Sequence, residues 1–235
     1  MDINCDLGEG MGNDEQIMPF INSCNIACGA HAGSLEVMRK TVLLAKNYNV
    51  KIGAHPSFSD RANFGRTEMF IPKNKLKSQI INQIVKLKEV VDNEGVVLHH
   101  VKPHGALYNM ATKFDDVANA VIEAVEYFDE ELILYVPYGS LISKKLIKRK
   151  TPFYYESFAD RMYNNDLSLV SREIPDSLIE NPNDILKRVK QIIELGTINS
   201  LDGKSIKIKS DTICVHGDNP NAIEVVRVLS KYLDS

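Results

Sequence analysis

The sequence places six histidines at or near the ends of short apolar segments, where an imidazole could transfer protons or bind a metal ion. They are His31, His55, His99, His100, His104 and His216. Charged residues stand at similar places, namely Asp6, Glu9, Lys102, Asp160, Arg161 and Asp218. Imidazoles and carboxylates with shifted pKa values move protons at an amide or ester carbonyl, while a cation stabilises the developing oxyanion. The residue types therefore indicate a hydrolase-like site.

A divalent ion is an alternative use of the same groups, with Asp6, His31 and His55 as its candidate ligands. Imidazole and carboxylate are the groups with which proteins bind such ions. The spacing of the histidines along the chain does not decide between metal-dependent chemistry and direct acid–base chemistry. Both remain open from the residues alone.

These residues are positioned by short β-branched segments that alternate with longer segments of helical period. Strands are predicted at 2–6, 24–28, 50–55, 96–102, 132–136, 153–158 and 212–216. Helices are predicted at 35–48, 75–91, 115–127, 140–148, 184–195 and 221–233, with a hairpin at 197–210 around Asp202-Gly203. The alternation predicts a single α/β domain over residues 1–235 with a mainly parallel sheet. Ligands bind at the carboxyl ends of such strands, which is where the histidines gather.

Several of these residues also have structural interpretations. His99 and His100 are adjacent in a predicted strand, so they point to opposite faces and at least one is expected to pack in the core. Asp6 could fix the glycine-rich turn that follows it. Arg61 and Arg66 form either a solvated pair or an anion clamp, and Asp160 with Arg161 could be only a local ion pair.

Composition excludes several classes of protein. The 235 residues carry 28 Lys and Arg against 31 Asp and Glu, and this balance shows no basic stripe for nucleic acid. No apolar stretch is long enough to cross a membrane, and the N-terminus lacks the basic and apolar regions of a secretory signal. The four cysteines lie in or at the ends of strand-like segments, which favours reduced thiols in a cytoplasmic protein.

No nucleotide-binding loop is predicted. Gly203-Lys204-Ser205 resembles the end of a phosphate-binding loop, but the glycine required five residues earlier is replaced by Ile198. The hairpin around these residues is also the wrong context for such a loop. Direct nucleotide binding by a P-loop is therefore excluded for this chain.

Seven short motifs follow one another along the chain. They are Asn-Cys-Asp-Leu-Gly-Glu-Gly at 4–10, Asn-Ile-Ala-Cys-Gly-Ala-His-Ala-Gly at 25–33, Gly-Ala-His-Pro-Ser-Phe at 53–58, Asn-Phe-Gly-Arg at 63–66, Val-Lys-Pro-His-Gly-Ala-Leu-Tyr-Asn at 101–109, Phe-Ala-Asp-Arg at 158–161 and Ile-Cys-Val-His-Gly-Asp at 213–218. In this order they resemble the LamB/YcsF family over essentially the whole chain. The motif at 101–108 is very specific.

The resemblance implies a distorted seven-stranded (β/α) barrel, related to glycoside hydrolases and polysaccharide deacetylases. Members of the family serve as the A subunit of an ATP-dependent 5-oxoprolinase, which opens the lactam of 5-oxo-L-proline to give L-glutamate. The implied partners are subunits B and C. ATP, with Mg²⁺, is expected to act through the complex, with no tightly bound cofactor in this chain and no activity of the chain alone.

The resemblance also suggests roles for the candidate residues. The expected catalytic residues are Asp6, His55, Lys102, His104 and His216, and the expected substrate-binding residues are Glu9, His31, Arg66, Asp160, Arg161 and Asp218. In this scheme His104 or His55 is the base for the attacking water and Asp6 orients it. Lys102 neutralises charge on the phosphorylated lactam oxygen, and Arg66 or Arg161 holds the substrate carboxylate.

Two alternatives and one departure accompany this interpretation. The alternatives are a metal-dependent deacetylase acting on a small amide or carbohydrate, and a non-catalytic subunit that binds 5-oxoproline for its partners. Where the family usually has Gly-Phe-His-Ala-Gly-Asp-Pro, this chain has Gly-Ala-His-Ala-Gly-Ser-Leu at 29–35, and the loop after Glu9 is shorter. The changed residues lie beside His31 and so affect the shape of the expected pocket.

Overall fold

A closed barrel of parallel strands forms the centre of the computed structural model. The structure describes residues 1–128 and 131–233, and the rest of the predicted 1–235 domain lies outside the described residues. The strands are β1 (Asp2–Leu7), β2 (Ser23–Ala27), β3 (Lys51–His55), β4 (Leu98–Val101), β5 (Ile133–Pro137), β6 (Phe153–Phe158), β7 (Thr197–Asn199), β8 (Ser205–Lys207) and β9 (Thr212–His216). Strands β1 to β6 and β9 close the barrel, whereas β7 and β8 form a separate antiparallel pair. The predicted barrel and the predicted hairpin are both confirmed.

Helices cover the outside of the barrel. They are α1 (Asp14–Ile17), α2 (Leu35–Asn47), α3 (Lys73–Asn93), α4 (Gly105–Ala111), α5 (Asp115–Val125), α6 (Leu141–Arg149), α7 (Pro182–Lys190), which continues as a π-helical turn over Gln191–Leu195, and α8 (Ala222–Leu233). In α3 the buried residues Ile80, Ile84, Leu87 and Val91 recur at intervals of three and four, so one face packs on the strands. The six predicted helices are confirmed with shifted ends, whereas α1 and α4 were not predicted.

The barrel strands are apolar toward the helices and polar toward the barrel axis. In β1 the buried apolar residues Ile3, Cys5 and Leu7 alternate with the buried polar residues Asn4 and Asp6. Successive side chains of a strand point to opposite faces, so these polar groups enter the barrel. A buried polar group is stable only when it is hydrogen-bonded, and the barrel interior must therefore supply partners.

Hydrogen bonds across the barrel supply those partners. The Asn4 amide donates to Glu156 Oε1 at 2.9 Å, although β1 and β6 are not neighbouring strands. The Asn25 amide donates to Asn4 Oδ1 at 2.8 Å, and His100 Nε2 donates to Asn25 Oδ1 at 2.7 Å. The ring of His100 is fully buried and stacks on Tyr135, with 4.1 Å between the ring centroids.

The structural interpretation of the adjacent histidines is therefore confirmed for His100. The prediction that all six histidines gather at one edge is wrong for this pair. Pro103 cannot donate to the strand ladder, so β4 ends at Val101, and His100 lies within the strand where its ring must face the barrel interior. His99 is half-buried near Tyr154, with 6.5 Å between the ring centroids.

Gly53 makes room for the His100 ring, which gives a testable expectation for the free energy of unfolding. A Cβ at position 53 would lie 2.1 Å from His100 Nε2, well inside van der Waals contact. We expect Gly53→Ala to lower the free energy of unfolding by about 1–3 kcal/mol, the usual cost of overpacking. Urea unfolding measures the change, and the same substitution in a His100→Ala background should cost clearly less. Equal costs in both backgrounds would show that the ring is not the obstacle.

The cysteines were expected to be reduced and packed, and no helix was expected to cross a membrane. Cys5, Cys24, Cys28 and Cys214 are all buried and free, as expected for reduced, packed thiols. Burial raises the pKa of Cys28 to about 12, so this thiol stays protonated and unreactive at neutral pH. Within residues 1–128 and 131–233, the structure contains no helix with the length and apolar character needed to span a membrane.

Candidate active site

A cavity of about 300 Å³ opens at the carboxyl ends of the barrel strands. Most of the predicted site residues line it, namely Asp6, Glu9, His55, Arg66, Lys102, His104, Arg161, His216 and Asp218. The other two support the wall, since His31 stacks on His104 and Asp160 binds His216. The structure thus brings together residues that are up to 212 positions apart in the sequence (6 to 218).

One wall of the cavity carries an imidazole oriented by a buried carboxylate. His216 Nδ1 donates to Asp160 Oδ1 at 2.8 Å, and Asp160 Oδ2 accepts from the His216 backbone N–H at 3.2 Å. Burial alone would raise the pKa of Asp160, but His216 lowers it, so the carboxylate is ionised. Because the proton of His216 is then held on Nδ1, its Nε2 is free to accept another. The pair has the geometry of a general base and its orienting acid.

Asp6 lies near this imidazole. A carboxylate oxygen of Asp6 and a ring nitrogen of His216 are within 4.8 Å of each other, a gap that one water molecule can bridge. Asp6 Oδ1 accepts hydrogen bonds from the Asn25 amide at 2.8 Å and from Lys102 Nζ at 2.9 Å. Burial alone would raise the pKa of Asp6, but His55 and Lys102 lower it well below its usual range.

Lys102 occupies the floor of the cavity, enclosed by acceptors. Its Nζ lies 2.9 Å from Asp6 Oδ1, 2.9 Å from Glu156 Oε1 and 3.0 Å from Cys214 Sγ. The side chain is 2% exposed. The expected contact of Lys102 with a substrate oxygen does not fit this position, because two carboxylates already surround the ammonium. Its position allows it instead to keep Asp6 charged.

Three imidazoles and Glu9 form a compact cluster on the opposite wall. His104 Nδ1 lies 2.9 Å from His55 Nε2, and His31 Nε2 lies 3.0 Å from Glu9 Oε1. The rings of His31 and His104 are stacked, with 3.8 Å between their centroids. Burial and the neighbouring His55 lower the pKa of His31 to about 3, and burial raises the pKa of Glu9.

Tight loops hold this cluster in place. Gly105 has φ +54°, and a Cβ there would lie 2.7 Å from the carbonyl oxygen of Gly65, so only glycine allows the two loops to meet. The contact lets His104 Nε2 donate to the Phe64 carbonyl at 2.9 Å. Ser34, one of the residues near His31 that depart from the expected motif, caps α2 by accepting from the Val37 N–H at 3.2 Å. A serine at this position thus performs an N-cap role.

Guanidinium groups surround one carboxylate at the rim. Asp218 accepts from Arg66 at 2.7 Å and from Arg172 at 2.9 Å, while the Arg161 guanidinium donates to the Val170 carbonyl at 2.6 Å. Burial and the like charge of Arg172 lower the pKa of Arg161 to about 10. Three cations thus accompany the Asp218 carboxylate, and the rim has positive charge available for an anion.

Two expectations about arginine pairs need correction. Arg61 does not clamp an anion with Arg66, because its guanidinium hydrogen-bonds to the carbonyls of Gly29 and Gly33. Asp160 is not mainly a partner of Arg161, because His216 and Asn219 bind its oxygens. In both cases the charged group is hydrogen-bonded to backbone carbonyls or to side chains distant in the sequence, and its neighbour in the sequence is not its main partner.

Three residues of the site, Glu156, Asn25 and Arg172, were not predicted from the sequence. Glu156 is the one charged residue in a strand with four aromatic residues, a pattern that could have marked it as an interior partner. Asn25 is part of a motif but lacked an assigned role, and the structure shows it binding Asp6. Arg172 lies in the irregular segment after β6, where no periodicity marks it.

Comparisons with known proteins agree with this architecture. The chain is 43% identical to the A subunit of the 5-oxoprolinase of Pyrococcus furiosus, covering 100% of this chain and 94% of that protein. It is 42% identical to the corresponding 5-oxoprolinase A subunit of Bacillus cereus, covering 97% and 92%. The crystal structure of a lactam utilization protein from Thermus thermophilus superimposes with a TM-score of 0.92 at 36% identity, covering 100% and 96%.

A more distant structure shares only the fold. An Enterococcus faecalis protein at 12% identity superimposes with a TM-score of 0.52, covering 97% of this chain and 89% of its own. The LamB/YcsF family model matches residues 1–235, the full length of the sequence. With this match and the full-length relatives, the chain belongs to the LamB/YcsF family.

Proposed function

We propose that this protein is the A subunit of a 5-oxoprolinase, a hydrolase that cleaves the cyclic amide of 5-oxo-L-proline to give L-glutamate. The names of its full-length relatives support this assignment. The observation that carries it is one cavity that combines an oriented imidazole, His216, with a surplus of guanidinium groups. A lactam with a carboxylate requires both features.

The rim suits the carboxylate of the substrate. Arg66 and Arg172 already share Asp218, and Arg161 stands beside them with its guanidinium on a neutral backbone carbonyl. A guanidinium can bind a carboxylate through two parallel hydrogen bonds. Substrate bound in this way would place its lactam ring deeper in the cavity, toward His216 and Asp6.

Proton transfer falls to His216 in this arrangement, rather than to His104 or His55. His104 Nδ1 and His55 Nε2 face each other and Glu9, whereas His216 Nε2 is free to take a proton from water. Asp6, held ionised by Lys102, would accept a hydrogen bond from the same water. Glu9 and His31 then support the wall rather than bind the substrate directly.

ATP hydrolysis drives the reaction in this proposal, because the opening of an unstrained cyclic amide releases little free energy. Transfer of the γ-phosphoryl group to the lactam oxygen would release ADP and activate the ring carbon. Water then adds to that carbon, the ring nitrogen leaves as the amine, and a second water displaces phosphate from the acyl phosphate. His216 would receive the proton of the first water, and the departing amine would take one up.

Subunits B and C are the proposed partners, and ATP with Mg²⁺ is proposed to enter through the complex. The relatives are named as one lettered subunit of an enzyme, which implies an assembly of several subunits. Since the sequence lacks a P-loop, the chain needs partners for nucleotide use.

A coupled assay of glutamate formation tests the function. We expect glutamate and phosphate only when 5-oxo-L-proline, ATP, this chain and the two proposed partner subunits are all present. Each omission is a control, and the chain alone should release no phosphate. Glutamate formation without ATP would instead favour direct hydrolysis of a small amide. A full complex that forms no glutamate under any of these conditions would refute the assignment.

A further inference from the structure

We propose that Asn25 is a positioning residue for the Asp6 carboxylate, and that His100 supports Asn25 in this role. Neither Asn25 nor His100 lines the cavity, so each acts through a neighbouring side chain. The role rests on the function proposed above, in which Asp6 accepts a hydrogen bond from the attacking water. Strand register and hydrogen-bonding capacity together lead to this assignment.

Four residues of this arrangement lie side by side on strands β1 to β4. In the register of the parallel strands, Asp6 pairs with Asn25. Gly53 pairs with Asn25 on one side and with His100 on the other. Residues in register point to the same face of the sheet, which here is the barrel interior. Because Gly53 has no side chain, the His100 ring extends across β3 and reaches Asn25 Oδ1 at 2.7 Å.

The orientation of the Asn25 amide is determined by its neighbours. Asn25 Nδ2 lies 2.8 Å from Asp6 Oδ1 and 2.8 Å from Asn4 Oδ1, so its two hydrogens point to these two acceptors. Asn25 Oδ1 faces His100 Nε2, so the neutral ring carries its proton on that nitrogen. Turning the amide over would place its oxygen against the ionised carboxylate of Asp6, which cannot donate a hydrogen bond.

The Asn25 amide determines which oxygen of Asp6 is available to water. Asp6 Oδ1 accepts from Asn25 Nδ2 at 2.8 Å and from Lys102 Nζ at 2.9 Å, so both of its lone pairs are used. Asp6 Oδ2 lies 3.4 Å from His55 Nε2 and keeps a lone pair for a water molecule. Loss of the Asn25 donor would free Oδ1 and allow the carboxylate to rotate.

Lys102 by itself does not fix the plane of the Asp6 carboxylate. An ammonium is a compact charge on a flexible stem, and its three donors rotate, so either oxygen of Asp6 could bind it. The amide of Asn25 is planar, fully buried and hydrogen-bonded at both of its polar atoms. Asn25 therefore supplies the directional contact that the ammonium lacks.

His100 holds Asn25 from the side opposite to Asp6. Its ring is fully buried and stacks on Tyr135, with 4.1 Å between the ring centroids and 10° between the ring planes. Without the His100 N–H, Asn25 Oδ1 would be a buried acceptor that has lost its donor, which is unfavourable. Asn25 would still contact Asp6, so loss of His100 should have the smaller effect.

Steady-state kinetics of the assembled complex with 5-oxo-L-proline test the role of Asn25. We expect Asn25→Ala to lower kcat by about 10- to 100-fold with KM little changed, because a misplaced group slows the reaction without weakening substrate binding. Thr212→Val is the matched control, since Thr212 is equally buried in the barrel and pairs in register with Asp2, at the other end of β1 from Asp6. Its kcat should be near normal, and equal kcat values in the two variants would overturn the proposal.

Two variants of His100 separate its hydrogen bond from its packing. His100→Gln keeps an N–H donor of similar reach, whereas His100→Leu keeps only apolar volume. The kcat of His100→Leu should fall, and His100→Gln should recover most of the loss. In an Asn25→Ala background, His100→Leu should lower kcat no further, because His100 acts through Asn25. A further loss of the same size would overturn the role of His100.

The same pair keeps the test decisive if Asn25→Ala does not fold by circular dichroism. Equal kcat values for His100→Leu and His100→Gln would then overturn the proposal, and a higher value for His100→Gln would support it.

Crystal structures of the chain alone separate the positioning role from the proposed function. The Asp6 carboxylate should be rotated in Asn25→Ala and unchanged in Thr212→Val. An unchanged carboxylate in both variants would overturn the positioning role, whatever the activity of the complex. If the carboxylate rotates but the unaltered complex forms no glutamate, the proposed function fails while the positioning of Asp6 by Asn25 is supported.

Discussion

The variant His216→Asn should turn over 5-oxo-L-proline at least about a hundredfold more slowly than the unaltered chain in the assembled complex. Asparagine can still donate a hydrogen bond to Asp160, which His216 Nδ1 contacts at 2.8 Å, so the fold around the carboxylate should persist. The side-chain amide cannot accept a proton from water as the Nε2 of imidazole does. The loss should therefore appear in kcat, with KM little changed.

Asp160→Asn separates orientation from proton transfer. Because Asp160 fixes the Nδ1 proton of His216, its replacement should lower kcat by less than removal of the imidazole and should alter the pH profile of kcat. His99→Asn is the matched control, since His99 is half-buried away from the cavity and should support near-normal turnover. Normal kcat for His216→Asn would remove the imidazole from the reaction. A change in KM alone would favour a subunit that only binds 5-oxoproline.

The sequence was sufficient to predict that these side chains converge, because ligand-binding residues of a parallel barrel lie at the carboxyl ends of its strands. Asp6, His55 and His216 each lie at or near the last residue of a parallel strand. Parallel strands place their carboxyl ends at one edge, so the three side chains converge without any knowledge of the helices between them. The barrel strands were also recognisable because their short β-branched segments are bounded by residues that favour turns.

The partners of each side chain were not predictable in the same way. Lys102 meets Asp6 and Glu156 across the barrel, and the separation of these residues in the sequence gives no indication of that contact. Helix α4 was missed because five of its seven residues are buried, which hides the helical period. Arg172 is placed by an irregular segment whose path depends on tertiary contacts.

These limits explain why the residue roles proposed from the structure differ from those expected from the sequence, although most of the predicted residues line one cavity. A sequence pattern gives the side of the barrel to which a residue belongs, but a hydrogen-bond network depends on distances of a few ångströms. His104 and His55 have the right residue type for a base, yet His104 Nδ1 and His55 Nε2 are hydrogen-bonded to each other at 2.9 Å. His216 has the same residue type, and the carboxylate behind it makes it the better base.

The buried ion pairs of Lys102 with Asp6 and Glu156 should contribute much more to the free energy of unfolding than a surface ion pair does. We expect Lys102→Met to lower the free energy of unfolding by about 3–5 kcal/mol, because it removes the cation shared by two buried carboxylates. Asp6 and Glu156 each lie 2.9 Å from the ammonium, and Lys102 is only 2% exposed. Lys145→Met is the matched control, since its partner Asp115 is 65% exposed and the substitution should cost at most about 1 kcal/mol.

Neutralising one carboxylate should recover part of this loss. In the double variant Lys102→Met with Glu156→Gln, one buried charge disappears while the glutamine oxygen can still accept from the Asn4 amide, which donates to Glu156 at 2.9 Å. The double variant should therefore be more stable than Lys102→Met alone, and urea unfolding of the four chains of this cycle measures the coupling. If Glu156→Gln lowered stability equally with and without Lys102, the two groups would be uncoupled. The ammonium would then not balance the charge of Glu156.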